Sequence, residues 1–113
     1  MSSPLWDFET AEISKSLLHQ ATTAVKLRTF FVEDNPTIRE NLIATLAELA
    51  NIEAVGAAET ETDAIQWLSQ HSNAWDLVIV DLFLREGSGL GIVASLQHRD
   101  PSKTLVVLSN YAT

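Results

Sequence analysis

The chain has 113 residues, the size of one small domain, with 15 acidic and 7 basic side chains and a formal charge of −8. That charge argues against direct contact with a polyanion such as DNA or an anionic membrane surface. Cysteine is absent, which removes disulfides, thiolate metal sites and Cys nucleophiles together.

Residues 1–26 differ in character from the remainder of the chain. Ser3-Pro4 suits an N-cap followed by proline at the first helical position. Asp7, Glu9 and Glu12 fall where a helix start favours anions, and also where a secretory signal would need basic and then apolar residues. Trp6, Ile13, Leu17, Ala21 and Ala24 recur at a loose helical spacing. The pattern predicts a helix over 4–22, within an N-terminal extension of 1–26, either lying on its own domain or serving as a dimerising or linker helix.

From Leu27 onward, short apolar strands alternate with amphipathic helices. Thr29–Val32 reads as a strand that runs into Glu33-Asp34. Pro36 suits a helix start, with Ile38, Leu42, Leu46 and Leu49 on one face. Glu53–Ala57 is a weaker strand. Thr60 caps a helix that carries Ala64, Ile65 and Leu68, with Asp63 three residues on in a capping-box-like arrangement. Asp76–Asp81 is the strongest strand, Ser88–His98 a third helix, and Thr104–Ser109 a fourth strand. The run Leu77–Val80 is far too short to span a bilayer, and the chain reads as soluble and cytoplasmic.

Near-continuous apolar strands joined through helices imply an α/β fold with a parallel sheet covered on both faces and right-handed crossovers. In such a sheet ligands bind beyond the carboxyl ends of the strands. Those ends are Glu33-Asp34, Asp81 and Ser109. If the first and third strands are neighbours, Asp34 and Asp81 approach each other. Two unit charges ~4 Å apart at an effective dielectric of ~20 repel by about 4 kcal/mol, so the group calls for a proton or a cation. Oxygen donors without His or Cys point to a hard cation, Mg²⁺ above others. Taken singly, either Asp would pass for a solvated strand-end residue; the constellation gives them weight. The Gly87–Gly91 segment has the wrong spacing for a dinucleotide loop and reads as flexible-loop glycine. Trp67 and Trp75 read as packing residues, and His19, His71 and His98 as scattered.

Val32-Glu33-Asp34-Asn35, Val80-Asp81-Leu82-Phe83-Leu84 with Gly87-Ser88-Gly89, and Leu108-Ser109-Asn110 resemble the receiver domain of bacterial two-component response regulators. The resemblance covers 27–113. It implies a flavodoxin-like three-layer fold with strand order 2-1-3-4. It implies Asp81 as the phosphoacceptor, loaded by a sensor histidine kinase or phosphotransfer protein. Asp34, Asp81 and Glu33 would hold Mg²⁺ together with the backbone carbonyl of Phe83, and Ser109 would be the switch hydroxyl. A phosphoacceptor of this kind is a signalling switch rather than an enzyme on an external substrate.

Two departures stand out. Arg85-Glu86 occupies the loop position where the family usually has proline, a change expected to alter only the loop. The 113 residues also hold no counterpart of the family's fifth strand and its lysine. Lys103 precedes the fourth strand, at the wrong end of the sheet, and Tyr111 does not match the family's aromatic switch residue. The expected consequences are an exposed fourth-strand edge and a homo-oligomer formed through that edge or through the N-terminal helix. The alternative function is a phosphorylation-independent oligomerisation or docking module.

Overall fold

A computed structural model describes residues 26–108. The expected N-terminal helix and Ser109 lie outside the described residues. Seven elements occur in strict alternation: β1 (Leu27–Val32), α1 (Pro36–Leu49), β2 (Ile52–Ala58), α2 (Glu61–Gln70), β3 (Leu77–Asp81), α3 (Gly89–Ser95) and β4 (Thr104–Leu108). The strands form one parallel sheet in the order β2-β1-β3-β4, which is the order the resemblance implies.

Side-chain alternation divides the core into two. Phe31, Leu77, Ile79, Val106 and Leu108 face Leu42 and Leu46 of α1. Phe30, Val32, Val78 and Val80 face Ala64 and Leu68 of α2 and Ile92 of α3. β3 is buried along its whole length, as a central strand covered on both faces must be. The edge strand β2 is exposed at Glu53, Ala54 and Ala57 and carries an irregularity at Val55, between the pairs Thr29↔Ala54 and Phe30↔Gly56. Glycine at 56 leaves room for the Phe30 ring, which stacks on Trp67 with centroids 4.2 Å apart. Trp67 also stacks on His71, and Trp75 is buried against the same layer, so both tryptophans pack as expected.

The helix starts obey their caps. Asn35 Oδ1 accepts from the Ile38 N–H with Pro36 opening α1, and Thr60 Oγ1 accepts from the Asp63 N–H. Three expectations are corrected. Leu49 is 52% exposed, because Ile43, Leu46 and Ala50 take the face that packs against the core instead. The third helix is shorter than expected, stopping at Ser95. The glycines from Gly87 to Gly91 are packed rather than loose. Gly87 turns with φ +86°, a Cβ on Gly89 would meet the Asp81 carbonyl, and one on Gly91 would meet the Glu61 carboxylate.

Candidate functional site

Strand register builds the site. Phe31 pairs with Ile79 and Val32 with Val80, so the next step along each strand brings Glu33 and Asp81 side by side on the face that α1 covers. Glu33 N–H still bonds to the Ala58 carbonyl, and Leu82 N–H to the Leu108 carbonyl. The backbone is therefore held on both sides of the two acids. Asp34 comes next, at the strand end. One carboxylate oxygen from each of Glu33, Asp34 and Asp81 lies within 4.8 Å of the others. All three acids expected from the sequence thus meet at one point.

Two of the three acids in the cluster are buried. Glu33 is 3% and Asp81 4% exposed. Burial pushes the Glu33 carboxyl up to about 8, opposed by the N–H of Asn35 at 3.0 Å and reinforced by the neighbouring Asp81 charge. Burial also pushes Asp81 up, against the pull of the Phe83 N–H, which donates to Asp81 Oδ1 at 3.0 Å. The metal-free pair therefore retains a proton near neutral pH and titrates as a unit. Three hard oxygen donors that are electrostatically penalised until a cation joins them are a fitting donor set for Mg²⁺.

The β3–α3 loop closes the site. Phe83 stands two residues past Asp81 and is 61% exposed. A cleft of about 430 Å³ is lined by Asp34, Phe83, Arg85 and Leu90 among others. Glu61, the first residue of α2, reaches across so that its Oε1 accepts the Ser88 N–H at 2.7 Å, while its own N–H donates to the Glu86 carbonyl. The small Gly87 and Gly91 make room for that carboxylate. The sequence offered no separate signal for Glu61, since an acid at a helix start is ordinary.

Arg85 corrects the reading of its loop. Its N–H donates to Asp34 Oδ2 at 2.7 Å, and its Nε lies 3.9 Å from the same oxygen. Arg85, in the loop where the resemblance implies proline, thus reaches the site itself. Lys103 is at the far edge as expected, where its Nζ donates to the Trp75 carbonyl.

Comparison with known proteins agrees with the fold. The chain is 35% identical over 81 residues to protein-glutamate methylesterase/protein-glutamine glutaminase 3 of Myxococcus xanthus (strain DK1622); the match takes in 72% of this chain and 22% of that protein. Among solved structures, the response regulator PhyR from Brucella abortus superposes with a TM-score of 0.63 at 25% identity, covering 81% of this chain and 37% of that one. A LuxR-family two-component response regulator from Aurantimonas sp. SI85-9A1 gives a TM-score of 0.65 at 19% identity, covering 75% and 59%. The family model for the response regulator receiver domain matches residues 29–113. With the fold, the strand order and the acidic cluster, this match makes the chain a member of the response regulator receiver domain family.

Proposed function

We propose that this receiver domain, spanning 27–113 behind an N-terminal extension of 1–26, is a phosphoacceptor switch of a two-component system. The carrying observation is the convergence of Glu33, Asp34 and Asp81 within 4.8 Å. Glu33, Asp34 and Asp81, with the carbonyl of Phe83, would hold Mg²⁺. The ion would neutralise the cluster and offer positions for phosphoryl oxygens. Asp81 is the nucleophile. One of its carboxylate oxygens forms the new P–O bond as the P–N bond of a phosphohistidine breaks, and the leaving imidazole is neutralised by a proton from water. The Phe83 N–H holds Asp81 Oδ1 in place. Positioning of this kind is most of what phosphoryl transfer asks of a protein.

The donor in this reading is a sensor histidine kinase or phosphotransfer protein in the cytoplasm. No described helix is long and apolar enough to cross a membrane. Ser109 is the switch hydroxyl in this reading; it follows in sequence directly on Leu108, the last described residue, which pairs with Asp81. The phosphorylated chain reports through a protein-interaction surface, and homo-oligomerisation through the β4 edge or the N-terminal segment is part of the proposal. Among the described residues β4 pairs only with β3, and an open apolar edge recruits another strand.

Thermal unfolding with and without millimolar Mg²⁺ tests the reading. The wild type is expected to gain stability with the ion and Asp34→Ala to lose that gain. Phosphoryl labelling is expected at Asp81 and absent in Asp81→Asn. No Mg²⁺ effect in either protein would favour a phosphorylation-independent docking module.

A further inference from the structure

Asp34 is claimed from two sides. It contributes an oxygen to the cluster with Glu33 and Asp81, and its Oδ2 also accepts the Arg85 N–H at 2.7 Å with the Arg85 Nε 3.9 Å away. Asp34 and Arg85 together line both of two neighbouring clefts, of about 430 and 380 Å³. Their contact therefore borders both clefts. Of the cations in described ion pairs, Arg85 alone is paired with a member of the cluster. Arg39 lies close by, but its NH1 donates to the Glu33 carbonyl and to Glu59, not to the three clustered carboxylates.

We propose that Arg85 is a resident counter-cation that competes with the divalent ion for Asp34 and thereby sets the metal affinity of the site. The competition rests on the metal-binding reading of the Glu33, Asp34 and Asp81 cluster. A carboxylate that already accepts an N–H and faces a guanidinium is a poorer donor to a hard cation, and the guanidinium repels an incoming divalent charge. Arg85 acts as a positioning residue here, through the availability of Asp34. Its side chain is 82% exposed and that of Asp34 14%, so water screens the charge and the effect of the guanidinium is modest. The backbone N–H contributes separately, and proline at this position would remove both contacts.

Mg²⁺ titration by calorimetry on wild type, Arg85→Ala, Arg85→Lys, Arg85→Pro and Asp34→Ala is the test. Arg85→Ala should bind the ion about two- to fivefold more tightly than wild type, Arg85→Pro at least as tightly as Arg85→Ala, and Arg85→Lys like wild type. The gap between wild type and Arg85→Ala should narrow at high ionic strength. Unchanged or weaker binding in both Arg85→Ala and Arg85→Pro, beside Asp34-dependent binding in wild type, overturns the competition while leaving the metal site standing. Failure of every one of these proteins to bind Mg²⁺ overturns the metal-binding reading and the competition with it.

Discussion

The two edges of the sheet handle charge in opposite ways. At the amino edge, Arg28 of β1 grips Asp76 through its Nε, NH2 and backbone N–H, all within 3.0 Å, and its NH1 donates to the Asn73 carbonyl. The Arg28 side chain holds the Asp76 carboxyl below the usual range. At the carboxyl edge, Glu33, Asp34 and Asp81 crowd like charges, and burial raises Glu33 and Asp81. The same strands, β1 and β3, connect the two arrangements. One edge is finished by internal ion pairing, whereas the other is left electrostatically incomplete and becomes complete only when a cation arrives. The proposed metal site lies at the edge where folding alone leaves a penalty.

The largest expected effect is on pH dependence. Glu33 titrates at about 8 in the folded chain against an ordinary 4.5. Its sign is that of a raised group. The favourable term is full below pH 4.5 and is lost as pH rises through about 8. Metal-free protein should therefore lose on the order of a few kcal/mol between about pH 5 and 8, or roughly 10–20 °C in melting temperature for a domain of this size. Glu33→Gln should flatten the profile, and saturating Mg²⁺ should remove most of the loss. A flat metal-free wild-type profile would show that the carboxyl edge carries no such penalty.

Next comes overpacking beside the site. Gly89→Ala would press a methyl group into the Asp81 carbonyl and the Leu82 Cα. Denaturant unfolding should show a loss of about 1–3 kcal/mol, with weakened Mg²⁺ binding because the β3–α3 loop must shift.

A pair of charge deletions then contrasts the edges directly. Asp76→Asn should destabilise by about 1 kcal/mol, since charged hydrogen bonds in a part-exposed pair are lost. Asp76 has the opposite sign to Glu33, so its contribution is present above its ordinary 3.8 and disappears as pH falls below it. Asp81→Asn should instead stabilise the metal-free chain at pH ~8 by about 1 kcal/mol, because it removes one of the crowded charges. Destabilisation by both substitutions would erase the contrast.

The smallest effect concerns the loop clasp. Glu61→Gln keeps an acceptor for the Ser88 N–H but loses the charge, and it should cost about 0.5 kcal/mol. A larger cost in chemical denaturation would mean that the clasp holds more of the loop than one hydrogen bond.

Much of the fold and of the site is legible in the amino-acid sequence. β1 and β3 stand out because a strand covered on both faces must be apolar throughout, and Phe30–Val32 and Leu77–Val80 are. Their acidic ends contrast with that background, and the resemblance orders them as an acceptor and its metal ligands. Pro36, the Thr60 cap and Ser88 mark the helix starts within a residue. Less is legible where the partner comes from far along the chain. Arg85 meets Asp34 across 51 positions and Ser88 meets Glu61 across 27. Neither pair has a periodicity to betray it. The glycines of 87–91 have the composition of a loose loop, and only the nearness of Glu61 and the Asp81 carbonyl shows that they are small because space is short.

Local chemistry thus determined the alternation of strands and helices, the parallel sheet and the residues that end each strand, since apolar runs, caps and helical spacing act over a few residues. Tertiary structure decided the rest. Register between β1 and β3 set Glu33 beside Asp81, and the approach of the β3–α3 loop gave Asp34 a resident arginine. Charges at long sequence separation interact only once the backbone has brought them within a few ångströms, and that distance belongs to the fold.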